Sequence, residues 1–160
     1  MIETTRCKVR NFEEIDLDLF MDYRNNAEWM KYQSFKNLTK DEYIRALLVP
    51  RDIQSGIQLA IVKKDTDILL GDIYLEKKEN TIFIGYTIHP DYSRNGYITE
   101  VLEALLQRLQ KEYSDCNILA TTVKENIPSK NLLIKLGFKY DRFVDEWEEE
   151  VYVYQKGGNQ

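Results

Sequence analysis

One segment of this chain, TIFIGYTI at residues 81–88, is apolar on nearly both of its alternating faces and runs through a short polar loop straight into a one-striped helix. In that helix Ile98, Val101, Leu102, Leu105, Leu106 and Leu109 recur at i, i+3, i+4, i+7, i+8 and i+11. Glu100, Glu103, Gln107, Arg108 and Lys111 take the other side. A strand with two apolar faces belongs in the middle of a sheet, and the striped helix needs an apolar layer to lie on. The segments 57–63 (IQLAIVK) and 68–75 (ILLGDIYL) are short, β-branched and bounded by charged turns, so they read as strands of one meander with 81–88.

The remaining elements fit around that centre. Residues 5–10 read as a first strand. Ile15, Leu17, Leu19, Phe20 and Tyr23 suggest a helix that starts near Glu13 and Glu14. Thr39 with Glu42 makes a capping box for a second helix, whose face is Tyr43, Ile44, Leu47 and Leu48 and which Pro50 ends. After the long helix come a strand near 117–122, a helix near 127–136, and strands near 138–143 and 149–155. Strands and helices in this order predict an α/β or α+β fold, a mixed sheet covered on both faces by three or four helices.

With 160 residues the expectation is one domain, residues 1–156, with Gly157, Gly158, Asn159 and Gln160 as a frayed tail. Two cysteines, Cys7 and Cys116, stand far apart and outside any ligand spacing, which argues for reduced thiols and against a structural metal. No apolar run approaches the ~18 residues of a membrane span, and Met1 to Arg6 lacks a signal-type stretch, so a cytoplasmic protein is expected. A net charge of −5 disfavours a surface for nucleic-acid phosphates. The single histidine, His89, excludes any site needing two imidazoles.

The junction at 89–99, HPDYSRNGYIT, is where chemistry is expected. The first N–H groups of a helix have no intrahelical acceptor, and the helix dipole adds about half a positive charge there. A strand that delivers the chain to such a helix start makes a seat for an anion such as a pyrophosphate. Gly96 lets the backbone approach the ligand and tolerates positive φ. No Gly-Lys-Ser/Thr run follows, so this is not a P-loop, and the three spaced glycines of a dinucleotide fingerprint are missing. A second segment, VKENIPSKNLLIKLGF at 123–138, places Asn126 and Ser129 at a helix start and Gly137 at its C-cap.

Together, IGYTIHPDYSRNGYITEVL at 84–102 and NIPSKNLLIKLGF at 126–138 resemble the GNAT superfamily of acyl-CoA N-acyltransferases, in particular its RimJ/RimL-like branch. The resemblance covers roughly residues 5–155 and implies a mostly antiparallel mixed sheet of six or seven strands. It implies acetyl-CoA as cosubstrate, no metal, and transfer of an acetyl group to a primary amine. The pantetheine arm would meet the strand at Tyr86, Thr87 and Ile88. The pyrophosphate would rest on Ser93, Arg94, Asn95, Gly96, Tyr97, Ile98 and Thr99, mainly through backbone N–H groups. Asn126 would bond the pantetheine, and Ser129 would lie near the pyrophosphate or the sulfur. Three departures from the family pattern stand out: Ser93 and Ile98 stand at the ends of its Q/R-x-x-G-x-G/A loop, Leu133 replaces a tyrosine acid, and Phe83 or Ile84 a strand glutamate.

An alkyl amine has a pKa near 10.4 and must lose its proton to attack, whereas a thiol leaving group of about 8.5 needs only modest help. Ser129 and Glu76 are the candidate catalytic residues. Asp72 and Glu76 share a strand face with Tyr74 and are candidate bases; the same face reads more readily as a solvated one. Glu100 reads as a structural acid at the dipole's positive end, and His89 as a surface residue eligible for proton transfer. The run DEWEEE at 145–150 is either a wet hairpin or a border of the acceptor cleft that attracts a cationic amine. A protein N-terminus, a polyamine, an aminoglycoside and an amino acid remain open as acceptors, for a monomer or homodimer. The competing reading is a CoA-binding module that no longer catalyses.

Overall fold

The computed structural model describes residues 2–155. Strands β1 (Ile2–Glu3) and β2 (Cys7–Asn11) precede helices α1 (Leu17–Arg24) and α2 (Lys40–Leu47). The meander β3 (Ile57–Lys63), β4 (Leu69–Lys78) and β5 (Thr81–Ile88) leads into α3 (Tyr97–Glu112). Then follow β6 (Asn117–Thr122), α4 (Ile127–Leu136), β7 (Phe138–Val144) and β8 (Glu149–Tyr154). The sheet order is β1-β2-β3-β4-β5-β6-β8-β7, and every described pairing is antiparallel except β5 with β6.

The sheet therefore has eight strands where six or seven are expected. The additional one is β1, whose Ile2 and Glu3 pair with Val9 and Lys8; two residues carry no periodicity to read. The first helix also begins later than its apolar pattern suggests. Asp16 turns its carboxylate back to accept from the Glu13 N–H and from Arg10, which holds Glu14–Asp16 as a 3₁₀ turn and leaves Ile15 78% exposed. The expected tail, 157–160, lies outside the described residues.

Two apolar layers cover the sheet. On one face α3 buries Val101, Leu102, Leu105, Leu106 and Leu109 against Ile73, Ile82, Ile84 and Ile118, joined by Leu133 and Leu136 of α4. On the other, α1 and α2 bring Leu17, Phe20, Tyr23, Tyr43 and Leu47 over Ala60, Val62 and Leu69. Phe20 makes edge contacts with Phe12, Tyr23 and Tyr43 at centroid distances of 5.0–5.5 Å, the offset geometry aromatic quadrupoles favour. Cys7 and Cys116 are buried free thiols, and no described helix is long and apolar enough to cross a membrane.

The topology has one discontinuity. β5 pairs with β4 along its whole length, Gly71 to Lys78 against Ile88 to Thr81. Its ladder with β6 stops after three pairs, Thr81–Asn117, Ile82–Ile118 and Phe83–Leu119. On its other edge β6 pairs with β8, from Leu119–Val153 out to Thr122–Glu150, where β5 no longer follows it. A wedge opens between the two central strands, and α3 starts just beyond the end of β5.

Candidate active site

The wedge exposes main-chain hydrogen-bonding groups. His89 N–H donates to Leu70 O at 2.7 Å across to the β4 side, and Asn117 N–H donates to Asn80 O at 2.8 Å on the β6 side. Backbone groups alternate between the two neighbours along a strand, so Ile84, Tyr86 and Ile88 turn theirs toward β6. The Ile88 carbonyl accepts from Trp29 Nε1 at 2.9 Å. Tyr86, beyond the last β5–β6 pair, points both its N–H and its C=O into the gap, where a ligand can take up what β6 has left.

Side chains sort by the same alternation. Tyr86 faces α4, and its hydroxyl lies 3.1 Å from Ser129 Oγ. The pair spans the wedge, one hydroxyl from each lip. Burial pushes the Tyr86 phenol up to about 12, against a small opposing effect of the Ser129 bond, so it stays protonated at neutral pH. Two hydroxyls sharing one hydrogen bond leave one hydrogen over, and no described side chain receives it. The cap of α4 is made by Asn126, whose side-chain oxygen accepts from Ser129 N–H at 3.3 Å. Ser129 Oγ is therefore free of capping duty.

Beyond the wedge lies the start of α3. Gly96 occupies the left-handed region at φ 78 and offers no side-chain cap, so Tyr97, Ile98 and Thr99 present the uncapped N–H groups of the first turn. Arg94 is also left-handed at φ 65, and residues 94–96 are exposed. A clamp from the chain's beginning fixes this loop. Arg6 Nε donates to Glu100 Oε1 at 2.8 Å, its Nη1 to Asn95 O at 3.0 Å, and its guanidinium lies 4.3 Å from the Tyr97 ring centre. Glu100 also accepts from Thr4 Oγ1 and Arg6 N–H. Burial alone would raise the Glu100 carboxyl; these bonds hold it below its ordinary value.

On the opposite face of the sheet the wedge opens into a cavity of about 700 Å³. Its floor is a buried polar knot. Asp72, 0% exposed, accepts from Tyr23 Oη at 2.5 Å, Arg24 Nη2 at 2.7 Å and Gln58 Nε2 at 2.6 Å. Arg24 also reaches Thr87 Oγ1 and Phe35 O. Burial pulls the Arg24 charge down, but Asp72, together with the Tyr23 and Tyr43 hydroxyls, more than restores it. Tyr74 Oη lines the wall and donates to Glu76 at 2.7 Å; burial and that carboxylate hold the phenol up at about 12. Across the wedge Glu149 lines the cavity and has no described partner.

A family model described as an acetyltransferase (GNAT) domain matches residues 6–139. The chain belongs to the GNAT acetyltransferases. It is 29% identical to YnaD of Bacillus subtilis, an uncharacterised N-acetyltransferase, across 94% of each chain. To YoaA of the same organism, also an uncharacterised N-acetyltransferase, it is 27% identical over 98% of this chain and 90% of that one. A GNAT-family acetyltransferase from Bacillus anthracis has the same fold, with a TM-score of 0.83, 24% identity and 98% of both chains covered. RimL, a ribosomal L7/L12 α-N-protein acetyltransferase solved with coenzyme A, shares it at 0.79, with 13% identity and 94% of each chain. The chain is thus an acyl-CoA-dependent N-acetyltransferase.

This GNAT domain gathers the residues singled out in its sequence unevenly. Ser93 to Thr99 form one surface over the start of α3, and Tyr86, Asn126 and Ser129 meet at the lip of the wedge. Ser93 turns its hydroxyl inward to Pro90 O at 2.9 Å, its N–H donates to the same carbonyl, and its own carbonyl accepts from Asn95 Nδ2. Thr87 sends its side chain to the cavity side, to Arg24. Glu76 does not line the cavity; Tyr74 stands between. Asp72 is engaged on both oxygens. His89 is 2% exposed rather than on the surface: its Nε2 lies 2.8 Å from Asp22, and its Nδ1 accepts from Asp91 N–H at 3.0 Å. Leu133 packs in the core. Arg6, Arg24 and Trp29 carried no local signal, since each acts on residues distant in the chain.

Proposed function

We propose that this GNAT domain moves the acetyl group of acetyl-CoA onto a primary amine, with the cosubstrate in the β5–β6 wedge and the acceptor entering from the cavity on the opposite face. The observation that carries this is Tyr86: its main-chain N–H and C=O open into a wedge continuous with the uncapped start of α3. When bound there, acetyl-CoA supplies the thioester carbonyl that the amine nitrogen attacks, the C–N bond forming as the C–S bond breaks.

The chain's own residues take up the rest. The backbone of Tyr86 pairs with the pantetheine amides as an added strand would. N–H groups of residues 94–99 seat the pyrophosphate, and the Nδ2 group of Asn126, whose Oδ1 is spent on the cap, is left for the pantetheine. Glu149 takes the amine's proton, directly or through one water; it is the carboxylate that lines the cavity. Ser129, held by Tyr86, gives a hydrogen bond to the departing sulfur. Alignment of amine and thioester supplies much of the rate, about 7–11 kcal/mol in the best cases. Leu133 in the core does not favour a module without catalysis, because the Tyr86–Ser129 pair brings hydroxyls to the wedge.

The test is an acceptor screen that follows free thiol release from acetyl-CoA, with peptides, amino acids, polyamines and aminoglycosides as amines. Release that depends on an acceptor, with acetylated amine recovered, is the expected result. Tight acetyl-CoA binding with no release from any amine would favour the non-catalytic module.

A further inference from the structure

The charges that line the cavity are not all equal. Arg24 is neutralised by Asp72 at 2.7 Å, and Lys31 is bonded to Glu28 at 3.0 Å. Two remain without an opposite partner among the described residues: Glu149 on β8, and Arg51 in the loop between α2 and β3. Glu150 meets Lys130 and Tyr152, so alternation along β8 turns Glu149 to the cavity face. Arg51 is fixed by one bond, Nε to Ala46 O at 3.2 Å, and its terminal nitrogens have no described partner. Its charge is felt at the Tyr74 hydroxyl, where it opposes the upward push of burial. The same loop is tied to β4, where Lys77 N–H donates to Ile53 O at 2.7 Å, which sets the cation on the β4 side.

We infer that the acceptor is an amine that also carries an anionic group, a carboxylate or phosphate, held by Arg51 while the amine lies at the wedge beside Glu149. This deepens the transferase reading above and rests on it. Arg51 on the β4 side and Glu149 on β8 thus stand on opposite walls of the cavity, with β5 and the wedge between them. The amine must reach the wedge between β5 and β6, one to two strand spacings from Tyr74, which sets the anionic group about 5–10 Å from it. An extended peptide advances about 3.4 Å per residue, so an N-terminus with an acidic second or third residue spans the gap. A polyamine or aminoglycoside would bring a second cation against Arg51. The acidic run at 145–150 thus contributes one carboxylate for the amine and does not define a polycation site.

The experiment measures kcat/KM by thiol release for four acceptors, Ala-Ala-Glu-amide, Ala-Ala-phosphoserine-amide, Ala-Ala-Gln-amide and Ala-Ala-Lys-amide, with spermidine beside them. The expected order is acidic over neutral over cationic, with a preference of about fivefold for a partly exposed pair that shrinks as salt is raised. The two acidic peptides distinguish carboxylate from phosphate. Arg51→Gln is expected to bring the acidic-to-neutral ratio near one, and Arg51→Glu to turn the preference toward the lysine peptide. Spermidine or the lysine peptide as the best acceptor of the parent enzyme would overturn the inference, as would a ratio that Arg51→Gln leaves unchanged. No release from any of the five amines would instead overturn the transferase reading beneath it.

Discussion

In the proposed mechanism Ser129 and Tyr86, whose hydroxyls lie 3.1 Å apart, are the residues on which the chemistry of the leaving group turns. Ser129→Ala keeps the backbone N–H that Asn126 caps, so helix α4 is expected to persist with little change in melting temperature. Its kcat is expected to fall about tenfold while acetyl-CoA affinity holds, less than the 10²–10⁴ of a full general acid because a thiolate needs little help. Tyr86→Phe removes the hydroxyl that orients Ser129 and is expected to lower kcat alike; unaltered turnover in both would remove the pair from the mechanism. The cavity floor gives a different prediction. Asp72→Ala leaves Arg24 charged, buried and unpaired, and is expected to cost about 3–5 kcal/mol in urea unfolding, with Arg24→Met in the same chain recovering part of it. Ser129 was legible in the sequence from its place at a helix start. Its role as a possible cap was not separable from catalysis until Asn126 was seen to make the bond. Glu76 was legible as a carboxylate on the right strand face, but Tyr74 intercepts it, and the free carboxylate is Glu149, from a run of acids that only folding tells apart.

At the scale of elements, the junction of β5, the loop and α3 is where local sequence and local structure agree best. Gly96 has the positive φ expected of it, and Gly137 caps α4 at φ 105. Gly96→Ala is expected to lose about 1–2 kcal/mol from the left-handed strain and to weaken acetyl-CoA binding. Ser93→Ala is expected to bind normally if the loop acts through its backbone; calorimetric titration of both variants checks the contrast. The clamp on this loop sets a pH dependence. The folded carboxyl of Glu100 lies below its unfolded value, so its contribution is present above the ordinary carboxylate range of about 4.3 and is lost as pH falls through the folded value. Glu100→Gln is expected to be less stable than the parent near neutral pH, with the difference vanishing in acid, as urea midpoints at the two pH values will show. Helices and strands were readable because their periods are local. Strand β1 and the Arg6 clamp were not, because two residues make no pattern and the Arg6–Glu100 bond joins residues 94 positions apart.

For the whole molecule, the order of the sheet does the functional work. Two cores on opposite faces, one under α3 and α4 and one under α1 and α2, hold β5 and β6 firmly enough that they can part between them. In the proposed mechanism one face receives the cosubstrate and the other the acceptor. The layered fold was legible from the doubly apolar strand and the striped helix. The wedge was not, since where two neighbouring strands stop pairing is set by long-range contacts and leaves no local period in the sequence. The most direct measurement is thermal unfolding with and without acetyl-CoA, in the parent and in Gly96→Glu. A hundredfold excess over the dissociation constant adds about 2.7 kcal/mol, which for a domain of this size raises the melting temperature by about 5–10 °C. The parent is expected to show that rise, and Gly96→Glu, folded but with a carboxylate in the anion seat, to show none. No rise in the parent at millimolar acetyl-CoA would contradict the placement of the cosubstrate in the wedge.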